Sequence, residues 1–169
     1  MKRHVVLVGL PGSGKTTVGR ALADALGRSF VDLDQRIVSS QGLSVAGLWE
    51  ANGEAAFRRL EQAAMREALE GPDSVIAPGG GWAAIPGELS QARELAFIIY
   101  LRVREETAAQ RAGGQGGMSG RPLLGDEPLQ RLGELLEQRE RFYRQADVVI
   151  ENEGSEREAV ALIRERMPL

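Results

Sequence analysis

The spacing of apolar positions changes repeatedly along the chain, and each change marks an element. His4 to Val8 is a short β-branched run stopped by Gly9, the pattern of a strand buried on both faces in a parallel sheet. After a loop over Gly9 to Gly14, apolar residues fall at Val18, Ala21, Leu22 and Ala25, the spacing of an amphipathic helix over Lys15 to Leu26 closed by Gly27. A second strand is predicted over Ser29 to Leu33, followed by helices at about Gln35–Gln41, Ser44–Gly53 and Gly53–Glu70. Ser74 to Ala77 predicts the third strand, Leu89 to Glu94 a weak helix, and Ala96 to Leu101 the most strand-like run of all. Helices at Arg104–Arg111 and Pro128–Arg144, a fifth strand at Val148–Ile150 and a closing helix at Glu156–Met167 complete the pattern. Strands alternating with helices predict an α/β fold, a mostly parallel sheet with helices on both faces.

Composition narrows the chemistry. At 169 residues, 43% hydrophobic, the chain suits one compact domain, 1–169, and a second full domain does not fit. The net charge of −3 and the scattered basic residues predict no nucleic-acid partner and no attraction to a membrane surface. No apolar run reaches 18 residues and the N-terminal apolar stretch is too short for a secretory segment, so a cytoplasmic location is expected. Without cysteine, and with His4 as the single histidine, thiol chemistry, Cys-type zinc sites and multi-histidine metal sites are excluded. Carboxylates, arginine, lysine and backbone remain. Of the 21 basic residues only Lys2 and Lys15 are lysines, which makes Lys15 a residue to explain.

Gly9-Leu10-Pro11-Gly12-Ser13-Gly14-Lys15-Thr16 satisfies G-x-x-x-x-G-K-[ST] between a predicted strand and a predicted helix, the context this motif requires. Its parts follow from phosphate binding. Glycines let backbone N–H groups approach phosphate oxygens, the helix offers its positive end, Lys15 reaches the β- and γ-phosphates, and Thr16 ligates magnesium. A phosphate loop over 9–17 alone admits switches, ATPases and kinases. Neither lysine follows an asparagine, so the guanine-reading Asn-Lys-x-Asp is absent, and no long apolar strand ends in Asp-Glu as in many hydrolytic ATPases. A second substrate is favoured over an activated water.

Other segments are weaker by themselves. Asp32 and Asp34 close the second strand, at the ligand-binding edge of a parallel sheet, and whether they converge depends on how the backbone turns there. Pro78 leads into Gly79-Gly80-Gly81, where absent side chains would let a polar substrate touch backbone. Arg58 and Glu61 lie one helical turn apart, a spacing that a surface ion pair also has. Gly113 to Gly120 holds five glycines in eight residues, which suits either a surface loop or the hinge of an active-site lid.

Taken in order, these motifs resemble the shikimate kinases over essentially the whole chain: the phosphate loop, Phe30-Val31-Asp32-x-Asp34-x-x-Ile37, Gly53-Glu54-x-x-Phe57-Arg58-x-x-Glu61, Gly79-Gly80-Gly81, Arg121-Pro122-Leu123-Leu124 and Arg139-x-x-x-Tyr143. The resemblance implies a P-loop kinase fold with five parallel strands in the order 2-3-1-4-5. It also implies transfer of the γ-phosphoryl of ATP to the 3-hydroxyl of shikimate, with Mg²⁺, a step of chorismate and aromatic amino acid biosynthesis. The expected segments are acceptor-binding helices at about 34–61 and a lid at about 112–124.

Carried onto this sequence, the family's ATP-binding residues fall on Gly12, Ser13, Gly14, Lys15, Thr16, Thr17, Arg111 and Arg121. Asp34, Arg58, Gly79, Gly80, Gly81 and Arg139 fall in the acceptor site, with Asp34, Lys15 and Arg121 catalytic and Thr16 and Asp32 at the metal. Glu61 would orient Arg58, and Trp49 and Phe57 would wall the acceptor. The sequence departs from the family at Trp49, where phenylalanine is usual, at Trp82, where a small residue is usual, and around Asn152 to Arg157, where a common proline is missing. ATP and shikimate are the expected partners, and a monomer is expected. Two other readings compete: a kinase for another hydroxy-acid such as gluconate, and a catalytically silent ATP-binding subunit.

Overall fold

The computed structural model describes residues 2–114 and 127–168. Its sheet has five parallel strands, β1 (His4–Val8), β2 (Ser29–Asp32), β3 (Ser74–Ala77), β4 (Ala96–Arg102) and β5 (Val148–Glu151), in the order β2-β3-β1-β4-β5. The helices are α1 (Lys15–Leu26), α2 (Leu33–Gln41), α3 (Val45–Glu70), α4 (Glu88–Ala92), α5 (Glu105–Gly114), α6 (Pro128–Tyr143) and α7 (Glu156–Arg166). Among the described residues none of them is long and apolar enough to cross a membrane.

Central β1 pairs with β3 on one side and β4 on the other, and helices packed over both faces of the sheet bury all five of its side chains. Alternation along the strands divides the core in two. Val6, Val8, Ile76, Ile98 and Tyr100 pack with Phe57, Met65, Leu132 and Leu135 from α3 and α6. Val5, Leu7, Val75, Ile99 and Leu101 pack on the other face with Val18, Leu22 and Ile163 from α1 and α7. A sheet covered on both faces leaves its carboxyl edge as the place for ligands, and the glycine loop after β1, Asp32 and Asp34 at the end of β2 and Gly79 to Gly81 after β3 all lie at that edge.

Two differences from the sequence reading, and one agreement, bear on the site. The second strand stops at Asp32 rather than Leu33, because the Asp32 carboxylate accepts the Gln35 amide at 3.1 Å and caps α2. Asp34 therefore stands in the first turn of a helix, not on a strand. The two helices expected to meet at Gly53 do so with a break, since Gly53 takes φ 82°, ψ 171°, a conformation that only glycine adopts readily. A 3₁₀ turn at Trp82–Ala84, which the sequence pattern does not predict, follows the three glycines.

Candidate active site

Two cavities open at the carboxyl edge and share a wall made by Lys15 and Thr16. One, of about 370 Å³, is bounded by Gly12, Gly14, Thr17, Arg111, Asn152 and Gly154. The other, of about 300 Å³, is bounded by Asp32, Asp34, Trp49, Phe57, Arg58, Glu61, Gly79 to Gly81 and Arg139. One basic side chain and one hydroxyl are thus common to two adjoining chambers, as transfer between two bound molecules requires.

Gly14 begins α1 with φ 94° and offers no side chain to cap the helix, which leaves the first-turn N–H groups facing the first cavity. Gly12 has no space for a Cβ, which would run into the Ala108 carbonyl of α5. Lys15 Nζ donates to the carbonyls of Gly9 and Leu10 at 2.7 and 2.8 Å, so the loop wraps its own ammonium. Asn152 is buried, and its Nδ2 donates to the Ser13 carbonyl at 2.8 Å, bracing the loop from the end of β5. Sequence reasoning left the part of Asn152 open, because the contact spans 139 residues.

Arg111 lines the same cavity and reaches toward the Gly154 carbonyl at 3.5 Å. Arg121 lies outside the described residues, as does the expected lid beyond Gly114. Thr16 Oγ1 and Asp32 Oδ2 stand 3.5 Å apart where the two cavities meet. A hydroxyl and a carboxylate form a hard oxygen donor pair. With phosphate oxygens and water they suit Mg²⁺, which usually takes only one or two protein carboxylates.

In the second cavity the three glycines are required for space. A Cβ on Gly79 would stand 2.5 Å from Glu61 Oε1 and 3.1 Å from Asp34 Oδ1. On Gly80 it would meet Arg139 Nη1 at 3.2 Å, and on Gly81 it would overlap the Arg58 guanidinium. The volume that side chains would occupy belongs to Asp34, Glu61, Arg58 and Arg139, which three separate helices, α2, α3 and α6, bring against one backbone segment.

Arg58 Nη1 donates to Glu61 Oε2 at 2.5 Å, and its guanidinium lies 5.7 and 5.9 Å from the ring centres of Trp49 and Phe57. Those two rings are 6.1 Å apart and form the expected apolar wall. Burial pushes the Glu61 carboxyl up to about 7, outweighing the opposite pull of Arg58. Arg139 is 6% exposed, and its Nη1 has no hydrogen-bond partner among the described residues. A buried guanidinium nitrogen beside an open cavity suits an incoming anion. Tyr143, missed as a site residue, donates its hydroxyl to the Gly80 carbonyl at 2.6 Å and also hydrogen-bonds Arg139; burial raises its pKa. The motif Arg139-x-x-x-Tyr143 carried that signal, one helical turn on the buried face of α6.

The family model described as shikimate kinase matches residues 11–167. The chain is similar to the shikimate kinase of Symbiobacterium thermophilum, at 46% identity over 85% of this chain and 82% of the relative. It is likewise similar to that of Caldanaerobacter subterraneus, at 40% identity over 94% and 92%. Among solved structures, shikimate kinase from Acinetobacter baumannii in complex with shikimate superposes with a TM-score of 0.90 at 34% identity, covering 98% of this chain and 92% of that one.

Proposed function

Since the chain belongs to the shikimate kinase family, an ATP-dependent group of P-loop kinases, we propose that it transfers the γ-phosphoryl group of ATP to the 3-hydroxyl of shikimate, giving ADP and 3-phosphoshikimate. The observation that carries this reading is the second cavity, where two arginines, a carboxylate and bare glycine backbone share one small chamber next to Lys15. Shikimate offers a carboxylate for the arginines and vicinal hydroxyls for Asp34 and the backbone. Bidentate recognition of a planar carboxylate is a task for guanidinium groups, and both are present.

In this reading residues 1–169 act as one domain, with nucleotide bound over 9–17 and acceptor bound between the helices at about 34–61. Gly12, Ser13, Gly14, Lys15, Thr16 and Thr17 hold the phosphates and Arg111 flanks the base. Arg58 and Arg139 clamp the carboxylate over Gly79, Gly80 and Gly81. Asp34 orients the attacking hydroxyl and takes its proton. Arg121, in the lid of about 112–124, completes the charge around the transferring group. Thr16 and Asp32 would hold Mg²⁺, which when bound neutralises phosphate charge. Such in-line transfer needs little covalent help; the chain supplies position and countercharge. The protein acts as a cytoplasmic monomer.

Side-by-side assays of ADP release with shikimate, gluconate and quinate under Mg-ATP test the reading. Turnover with shikimate at least tenfold above the others in kcat/KM is expected. Preference for gluconate, or no acceptor-dependent release at all, would overturn it.

A further inference from the structure

β3 ends at Ala77, so Gly79 to Gly81 have neither a strand ladder nor side chains to hold them, and glycine pays the largest backbone entropy on being ordered. Yet the clearances leave this segment little room: Glu61 crowds it at Gly79 and Arg58 at Gly81. Something must set the separation between the glycine backbone and α3.

Trp82 follows directly and is wholly buried. Its amide donates to the Gly79 carbonyl at 3.2 Å, and its indole Nε1 donates to Glu88 Oε2 at 3.0 Å. Glu88 is 5% exposed, and its other oxygen accepts Gln62 Nε2 at 2.9 Å. Gln62 adjoins Glu61 on α3 and lies one turn beyond Arg58. One buried carboxylate thereby ties the residue after Gly81 to the residue after Glu61.

We propose that Trp82 and Glu88 are positioning residues for the acceptor, holding Gly79 to Gly81 at a set distance from Arg58 and Glu61 through the relay Trp82–Glu88–Gln62. The proposal rests on reading this cavity as the shikimate site. Its physical basis is that a carboxylate buried between two neutral donors is a costly way to fill space, which an apolar side chain would do as well. What the carboxylate adds is geometry. It accepts from both directions at once, and both donors neighbour residues of the acceptor wall. If the relay is cut, the glycine segment gains freedom where sub-ångström placement matters, and acceptor binding weakens before nucleotide binding does.

Steady-state kinetics of Trp82→Phe, Glu88→Leu, Glu88→Gln and Gln62→Leu test it, with melting curves for each variant and assays run well below the lowest Tm. Trp82→Phe and Glu88→Leu are expected to raise the shikimate KM roughly 5- to 20-fold while the ATP KM stays within about twofold. Glu88→Gln should stay near wild type, because its amide oxygen still accepts from Trp82 and Gln62 can turn its own amide to match. Gln62 is half-buried, so Gln62→Leu should fold normally and still raise the shikimate KM. A purely structural relay predicts lowered Tm with the shikimate KM of the wild type in all of these variants, which overturns the proposal alone. Absence of wild-type turnover on shikimate would overturn the functional reading itself, and the two failures are read separately in the same series.

Discussion

Glu61 Oε2 receives Arg58 Nη1 at 2.5 Å while the Glu61 side chain has no solvent exposure, so an ion pair is held where burial favours the neutral acid. With its carboxyl pushed up to about 7 from 4.5, the folded state binds a proton that the unfolded state has released. Stability from this group is full below about 4.5 and is lost as pH rises toward 7, by up to about 1.4 kcal/mol per pH unit. Glu61→Gln should flatten that slope in denaturant titrations across the same range. At saturating ATP the wild-type shikimate KM should rise severalfold as pH falls through about 7, because a neutral Glu61 no longer holds Arg58 by charge. A Glu61→Gln variant that kept both slopes would show that another group titrates.

Arg58→Ala and Arg139→Ala should each raise the shikimate KM about ten- to a hundredfold, on the order of 1.5–3 kcal/mol, with the ATP KM nearly unchanged. The same factor should separate shikimate from its carboxylate-reduced alcohol in the wild type, and most of it should vanish in the variants. Unchanged shikimate affinity in both would remove the clamp.

Asp34→Asn should lower kcat by roughly 10²-fold or more and leave nucleotide affinity intact, since Asp34 lines the acceptor cavity and not the nucleotide one. Single-turnover measurement with pre-bound ATP reads the chemical step directly. Wild-type turnover in this variant would end the assignment of Asp34 as the group that receives the proton.

Lys15→Arg keeps the charge and should still abolish most activity. The ammonium is enclosed by two loop carbonyls at 2.7 and 2.8 Å, where a planar guanidinium has no equivalent fit. Nucleotide titration by calorimetry, with a melting curve as the folding control, checks this, and wild-type affinity would count against the phosphate-loop role.

Gly79→Ala and Gly133→Ala should behave oppositely. At Gly79 the added methyl stands 2.5 Å from Glu61 Oε1, so shikimate kcat/KM should fall at least about tenfold. At Gly133, within α6, no atom of the described residues beyond its own stretch of helix lies within 4 Å of the new atom, and the substitution should stabilise the protein by about 0.5–1 kcal/mol without touching kinetics. Paired Tm and kinetic measurements distinguish the two cases.

The strands, the phosphate loop and the break at Gly53 were legible in the sequence because each is a local matter of period, glycine and capping within a few residues. The ligand-binding edge followed from the same reading, since parallel strands must place the residues after them together. Asp34, Arg58, Gly79 to Gly81 and Arg139, which line the second cavity, stood out in the sequence through the order of their motifs, not through any property each shows alone. Only the tertiary structure decided what those residues do to one another. That Gly79 is glycine because Glu61 and Asp34 already occupy its side-chain space depends on α2, α3 and β3 meeting, and no local pattern encodes that distance. The burial that raises Glu61, the Tyr143 bond to the Gly80 carbonyl and the hold of Asn152 on Ser13 are likewise contacts between residues far apart in the chain. Trp82 stood out in the sequence only as an unusual residue after three glycines; packing made it one end of a buried relay, because an indole N–H taken out of water must find an acceptor and Glu88 is the one the fold brings to it.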